Sequence, residues 1–280
     1  MKQRIITALI LAPLAVLAIF ELSLPLFILL MAAVTVIGFW EWAQFVNSRS
    51  RYMAMIPTLI CFAFSYLALP SDVMSLNIIA PEHTFTLIIA VIWWVLASAL
   101  AITYPRSAAT WEGSRVSRQV FGMLTLIPFF WSVVLLRAQD IVNEPYYGAK
   151  LVFFVCLIVW AADSGAYFAG KSFGKHKMAP KVSPNKTIEG LLGGIACALI
   201  VGGVANYFFE LSFSSTGVMA LITFVTVVIS VLGDLVESMF KRVSGIKDSS
   251  QIIPGHGGML DRIDSLTAAF PVFTLLYFTL

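Results

Sequence analysis

Nine stretches of this chain are apolar enough, and close to long enough, to cross a bilayer: residues 4–20, 22–45, 52–69, 84–104, 119–138, 148–170, 188–209, 216–236 and 265–280. A membrane-spanning helix needs about 20 predominantly apolar residues. Inside lipid only helices or closed barrels satisfy their own backbone polar groups. With 59% hydrophobic residues, 12% charged residues and a mean hydropathy of +0.90, the sequence lies outside the soluble globular range. The expected fold is all-α: a polytopic integral membrane helical bundle of about nine transmembrane helices. The first run, with Lys2 and Arg4 ahead of it, has the look of a signal peptide. No small-residue cleavage site follows Phe20, so it is read as a retained helix.

Charge placement orients the bundle. With the N-terminus cytoplasmic, Lys2 and Arg4 and the even-numbered connections carry sixteen of the eighteen basic residues. Arg137 and Lys150 are the exceptions. The far side holds Glu21, Asp72, Glu82, Asp140, Glu144 and Glu210. This is the positive-inside pattern of a cell-membrane protein, and it independently supports nine spans. Cys61, Cys156 and Cys197 lie singly in apolar runs, which disfavours disulfide or zinc frameworks. A net charge of only +3 gives no ground for expecting nucleic acid as a partner.

The chain divides by loop character. Residues 1–147 form a region with short loops, in which Glu41, between Trp40 and Trp42, is read as reaching the interface. Residues 148–280 form a second region whose two cytoplasmic loops, 171–187 and 237–264, are long, basic and glycine-rich. Four polar clusters gather there. In "ADSGAYFAGKSFGKHK" Asp163 sits inside a span, where a carboxylate costs roughly 2.5–3.5 kcal/mol at mid-bilayer; it is expected to be buried beside a cation. The same stretch contains "GAYFAGKS", which satisfies G-x-x-x-x-G-K-[ST]. A phosphate-cradling loop needs a strand before it and free backbone N–H groups, and this match lies in an apolar helix. Lys171 is therefore read as a plain cation for a phosphate.

In "KVSPNKTIEG" Ser183-Pro184 reads as a turn or helix start, Thr187 or Asn185 as a helix cap, and Lys186 with the helix N-terminus as an anion site. In "GDLVESMFKR" Asp234, Glu237 and Lys241 share one helical face, suited to a hard divalent cation. In "IIPGHGGMLDRID" Asp261 and Asp264 fall one turn apart, and the glycines permit close backbone approach to a ligand. His256 is equally compatible with catalysis and with a structural hydrogen bond. Buried carboxylates (Asp163, Asp234, Asp261, Asp264) beside Lys186, Lys241, Arg242, Lys247 and Arg262 suit Mg²⁺-assisted phosphoryl or nucleotidyl transfer. Zinc proteolysis is disfavoured, because only three histidines occur and H-E-x-x-H is missing.

The stretch 238–264, "SMFKRVSGIKDSSQIIPGHGGMLDRID", resembles the C-terminal signature of phosphatidate cytidylyltransferases, the CDP-diacylglycerol synthases. Ser238, Lys241, Arg242, Lys247, Asp248, Pro254, His256, Gly257, Gly258, Asp261, Arg262 and Asp264 all match it. The upstream clusters resemble the family too, so detailed likeness spans about 160–264. The resemblance implies that CTP and phosphatidate give CDP-diacylglycerol and pyrophosphate at the cytoplasmic face. It implies Mg²⁺ accompanied by a monovalent ion such as K⁺, and a homodimer. By motif position, Asp234 and Asp261 are the metal ligands. Lys241, Arg242, Lys247 and Arg262 are candidates for triphosphate or lipid-phosphate contacts, with Glu237, Ser238, Asp248, Gly257 and Gly258 beside them. Ser183, Lys186 and Thr187 complete the nucleotide site, and Asp163 holds a cation or orients a lysine.

Two alternatives fit less well. A CDP-alcohol phosphotransferase would carry D-G-x2-A-R-x8-G-x3-D-x3-D, which does not occur here. An ion-coupled transporter would place polar residues through the midplane, whereas here they gather at one face. Alanine at Asp234 or Asp261 is expected to abolish turnover while leaving membrane insertion intact; substantial residual activity would refute the metal assignment.

Overall fold

The computed structural model describes residues 2–280, and about three quarters of it is helix. Nine helices of 18 to 28 residues are present among the described residues: α1 (Lys2–Glu21), α2 (Leu24–Trp42), α3 (Arg51–Ala68), α5 (Pro81–Ile102), α6 (Arg115–Ala138), α7 (Tyr147–Phe173), α8 (Ile188–Phe209), α9 (Thr216–Val243) and α10 (Leu260–Thr279). A six-residue helix, α4 (Val73–Ile78), precedes α5. Each long helix overlaps one of the nine apolar runs. Seven of them, α2, α3 and α5 to α9, are long and apolar enough to cross a membrane. Of the other two, α1 adds the apolar stretch Leu9–Glu21 among the described residues, and α10 opens with Asp261, Arg262 and Asp264. The chain is thus a polytopic helical membrane protein. The side chains of Lys2 and Arg4 lie outside the described residues.

Local chemistry explains where the elements begin. Ser50, Ser114, Thr187 and Ser215 each accept a backbone N–H from the first turn of the helix that follows, satisfying one of its orphan donors. Pro25 and Pro81 sit in the first turn of α2 and α5, where a missing N–H costs nothing.

The structure changes three expectations. First, the loop predicted at 171–187 is partly ordered. Helix α7 runs on to Phe173, and β1 (Lys177–Ala179) and β2 (Ser183–Thr187) form a two-stranded antiparallel ribbon, pairing Lys177 with Thr187 and Ala179 with Ser183. Ser183-Pro184 is therefore strand, not a turn, and Thr187, not Asn185, caps α8. Second, α9 does not stop at 236 but continues to Val243, carrying Glu237, Ser238, Lys241 and Arg242 as helical residues. Two basic residues in its last turn complement the helix dipole there. Third, the two exceptions to the charge pattern are locally engaged. Arg137 is buried and donates through Nε to the Ile19 carbonyl at 2.9 Å and through Nη2 to that of Leu22 at 3.0 Å, closing the end of α1. Lys150 pairs with Glu144 at 2.5 Å.

Two helix pairs hold the polar clusters in place. Helices α7 and α8 pack through small residues: a Cβ on Gly193 would lie 2.2 Å from Ala169 Cβ, and one on Gly194 would lie 2.7 Å from the Ala162 carbonyl oxygen. Helices α9 and α10 approach as closely, since a Cβ on Gly233 would lie 2.6 Å from Ala268 Cβ. Small residues at such contacts are what let helix backbones meet in a membrane. Beside them Phe240 of α9 sits in an aromatic cluster with Trp42 (centroids 4.8 Å) and Trp111 (5.0 Å), anchoring α9 to the N-terminal helices. Gly193→Leu is expected to overpack the α7–α8 contact and cost roughly 1–3 kcal/mol. This is measurable as a lower melting temperature in detergent. Gly203→Leu, where an added Cβ meets nothing within 4 Å, should leave that temperature near wild type.

Candidate active site

The two close helix pairs converge at one end of the bundle and bring most of the polar clusters together. Lys186, the penultimate residue of β2, reaches across to α9: its Nζ lies 2.6 Å from Asp234 Oδ2 and donates to the Val231 carbonyl at 3.1 Å. Asp234 Oδ1 accepts from Ser238 Oγ one turn on, at 3.2 Å. Asp163 of α7 lies within electrostatic range of both Lys186 and Asp234, so α7, the ribbon and α9 share one crevice. Asp264 of α10 lies within range of Asp234, Lys186 and Lys241. Its Oδ1 accepts the Ser265 N–H at 2.7 Å.

One turn further along α9, Lys241 joins α9 to α10. Its Nζ lies 2.8 Å from Asp261 Oδ1 and 3.1 Å from Glu237 Oε1. All three side chains are nearly inaccessible, at 12%, 6% and 6% exposure. Burial of three charges is tolerable only because they are paired; removing one partner would leave a charge uncompensated. Glu237 is the least satisfied of them, since neither carboxylate oxygen has a well-aligned hydrogen bond.

Asp261 also organises the loop before α10. Its Oδ2 accepts the Gly258 N–H at 2.8 Å, the Ser249 N–H at 2.9 Å and the Ser249 hydroxyl at 3.0 Å. These contacts explain the paired glycines. A Cβ on Gly257, whose φ is +86°, would lie 2.6 Å from Asp261 Oδ2, and one on Gly258 would lie 2.1 Å from Ser249 Oγ. Any side chain would push the backbone off the carboxylate it must bind. Between them and Ile253 the chain makes a tight turn, with His256 N–H bonded to the Ile253 carbonyl at 2.9 Å. His256 Nδ1 is buried without a hydrogen-bond partner.

Several expectations need correcting. Asp163 is exposed rather than buried, about three turns from the end of α7, with Lys186 as the cation within electrostatic range. Lys186 does not wait free at the α8 N-terminus, because it is paired with Asp234. The stretch "GAYFAGKS" is continuous helix, as its apolar setting demanded. Lys171, Arg242, Lys247, Asp248 and Arg262 are exposed. Lys171 lies over the Tyr167 ring at 5.7 Å, and Arg242 donates to the Val182 carbonyl at 3.1 Å. Lys247 and Asp248 line a separate open hollow of about 480 Å³ with Trp40, Gln44 and Arg51. Ser183 lies in β2 and makes no side-chain bond to the cluster among the described residues.

The largest correction concerns Glu41. It does not reach an interface; it is fully buried and binds the loop before α10 with both oxygens. Oε1 accepts the Met259 N–H at 2.9 Å and the Ser250 hydroxyl at 2.5 Å, and Oε2 accepts the Leu260 N–H at 2.5 Å and the Ser249 hydroxyl at 3.1 Å. Ser249 was also missed. The cost argument applied to Asp163 holds equally for a carboxylate within the α2 run, and would have singled out Glu41.

Whether these residues suit Mg²⁺ turns on which oxygens are free. No group of three or more His, Cys, Asp or Glu side chains is arranged as a metal cage among the described residues. Mg²⁺ needs none: it characteristically takes one or two carboxylates, substrate phosphates and water. Asp234, with Asp163 and Asp264 nearby, fits that pattern once Lys186 leaves Oδ2, since Oδ1 already accepts from Ser238. Asp261 fits it only if Lys241 leaves Oδ1, because Oδ2 already receives three donors.

This geometry has relatives. Residues 2–280 match the model of the Cytidylyltransferase family. The chain is 44% identical over 285 residues to the phosphatidate cytidylyltransferase of Haemophilus influenzae, covering 99% of each chain. It is 42% identical over 281 residues to that of Pseudomonas aeruginosa, covering 99% of this chain and 96% of the other. To the phosphatidate cytidylyltransferase of Bacillus subtilis it is 43% identical over 159 residues, 57% of this chain and 58% of the relative. With the family match running the length of the polypeptide and the signature residues gathered at one end of the bundle, the chain belongs to the cytidylyltransferase family.

Proposed function

We propose that the protein transfers the cytidylyl group of CTP to phosphatidate, releasing pyrophosphate and forming CDP-diacylglycerol. It does so at the cytoplasmic ends of α7 to α10 and, as the family resemblance implies, as a homodimer. The observation that carries this reading is the proximity of Lys186–Asp234 to Lys241–Glu237–Asp261, with Asp264 within electrostatic range of both lysines, at one end of helices most of which are long and apolar enough to cross a membrane. A lipid phosphate and a nucleotide triphosphate can meet only where membrane and cytoplasm adjoin, and both are anions that need fixed cations.

The reaction asks little covalent chemistry of the protein. A phosphate oxygen of phosphatidate attacks the α-phosphorus of CTP, a P–O bond forms, and the bond to pyrophosphate breaks. The attacking oxygen is already anionic, so no protein nucleophile is needed. Rate enhancement then comes from alignment and from neutralising charge on the phosphates in a crevice with little water. Lys186 and Lys241 are held near the site by their carboxylate partners, so their ammonium groups need only turn from carboxylate to phosphate when substrate binds. The exposed Lys247 and Arg262 are available to the outer phosphates. An arriving triphosphate offers Lys241 an alternative to Asp261, which frees Asp261 Oδ1.

The acidic side chains of the cluster supply candidate ligands for a cation. Around Lys186 and Lys241 stand Asp163, Asp234, Glu237, Asp261 and Asp264, five carboxyl groups facing two ammonium groups. Asp234, with Asp261 once Lys241 has turned to phosphate, would hold Mg²⁺, and the bound ion would withdraw charge from the triphosphate.

The direct test is incorporation of radiolabel from α-labelled CTP into a chloroform-soluble product by purified protein. Incorporation is expected to require phosphatidate, to stop on chelation with EDTA and to return with Mg²⁺. Well-folded protein that incorporates nothing would overturn the activity, and incorporation persisting in EDTA would overturn the metal. Lys241→Met removes the common partner of Glu237 and Asp261. It is expected to cost roughly 3–5 kcal/mol of stability by leaving buried carboxylates unpaired, read as a melting shift in detergent, and to abolish turnover.

A further inference from the structure

Helix α10 lacks the device that starts most helices. Its N-cap residue, Met259, has helical backbone angles and no side-chain oxygen to accept the first N–H groups. Those groups are not orphaned. The carboxylate of Glu41, 218 residues earlier in the chain, accepts from Met259 at 2.9 Å and from Leu260 at 2.5 Å. An anion at a helix N-terminus also gains from the helix dipole. A residue of α2 therefore caps the helix that carries Asp261 and Asp264.

Glu41 does more than cap. The Ser249 hydroxyl lies 3.1 Å from Glu41 Oε2 and 3.0 Å from Asp261 Oδ2, so one serine spans the two carboxylates. Ser250 Oγ donates to Glu41 Oε1. Gln44, one turn beyond Glu41, donates through its side-chain amide to the Ser249 carbonyl. Gly258, which donates to Asp261, has room for no side chain against Glu41: a Cβ there would lie 2.4 Å from Oε1. The end of α2 is itself held from the opposite side, where Trp42 Nε1 donates to the Arg118 carbonyl at 2.8 Å and Arg118 Nη1 to that of Phe45 at 2.8 Å. The loop 249–260 is thus braced between a fixed α2 and Asp261.

We infer that Glu41 is a positioning residue for the transfer reaction: by holding the first turn of α10 and the Ser249 hydroxyl, it sets where Asp261, and through it Lys241, stand against the phosphates. Glu41 contacts neither the lysines nor any exposed part of the crevice, so it acts through the residues it holds. The inference rests on the cytidylyl-transfer reading for its kinetic consequence, while the brace itself stands on the contacts alone.

A displacement of about 1 Å in a reacting constellation costs on the order of 100-fold in rate. In purified protein, Glu41→Ala is expected to lower kcat by roughly that factor. Glu41→Gln, which keeps one acceptor oxygen, should lose less. In both variants KM for phosphatidate stays near wild type and the size-exclusion profile is retained. Hydrogen–deuterium exchange should rise across 249–262 and stay unchanged in α7 and α8. Wild-type kcat in folded Glu41→Ala would overturn the inference. So would exchange that rises throughout the bundle, or a loss of folded protein with unchanged turnover per folded molecule, since either makes Glu41 only structural. If Glu41→Ala yields no folded protein, Ser249→Ala decides: a fall in kcat with local exchange supports the brace, and wild-type values in both overturn it. An inactive wild type would count against the cytidylyl-transfer reading, and the exchange pattern would still report on the brace.

Discussion

An ionised group cannot sit alone in an apolar helical bundle, and most of this protein's active end is shaped by that constraint. The desolvation of a single buried charge costs several kcal/mol, and attraction to a partner returns that only when the geometry is good. Lys241 therefore sits between Glu237 and Asp261, and Lys186 against Asp234. Such pairs are weak devices for stability, because apolar residues of the same volume would often serve as well. Their gathering at one end of the bundle is what the cytidylyl-transfer proposal draws on, since that reaction brings further charges to such a place. Phosphates and a metal ion are charges of that kind. Held in advance by carboxylates, the two lysines present their charge without having to be ordered by the substrate.

Bringing these charges together from α7, the ribbon, α9 and α10 requires the helices to approach closely, and here small residues set the distances. The α7–α8 contact through Gly193 and Gly194 fixes Asp163 relative to the ribbon that carries Lys186, and the α9–α10 contact at Gly233 and Ala268 fixes Asp234 relative to Asp264. Gly257 and Gly258 work on a shorter scale. They let backbone N–H groups and the Ser249 hydroxyl come within hydrogen-bonding distance of a carboxylate where any Cβ would intervene. Without a hydrophobic driving force between helices in lipid, such contacts rely on dispersion and hydrogen bonding. A single added side chain therefore acts on both packing and site.

Much of this was legible in the sequence because the physical signals were local. A run of apolar residues reports a helix whatever its neighbours do, and all nine runs coincide with long helices. Asp234, Glu237 and Lys241 announced their shared face through spacing alone, as did Thr187 its capping role. The signature at 238–264 marked the family to which the chain belongs. What could not be read depended on tertiary partners. Helix α9 continues past 236 because Lys241 finds Glu237 and Asp261, and the segment before α8 becomes a strand because β1 lies beside it. Asp163 looks buried from its apolar flanks, yet those flanks line a crevice rather than a closed core.

Glu41 shows the same limit most sharply. Its flanking tryptophans suggest an interfacial anchor, a reading that periodicity cannot correct, because its partners at Ser249, Ser250, Met259 and Leu260 lie more than 200 residues away. Only a cost argument reaches it: a carboxylate placed among apolar residues needs donors, and the nearest unsatisfied donors in a helical bundle are the N–H groups opening another helix. Helix α10 begins with no cap of its own, and α2 carries a carboxylate with no charge partner. Each supplies what the other lacks. A buried polar network of this sort is worth most when complete and becomes a liability when partly broken. The N-terminal helices, which the family match covers with the rest of the chain, are thereby bound to the C-terminal ones through a buried side chain as well as through the Trp42–Phe240 contact.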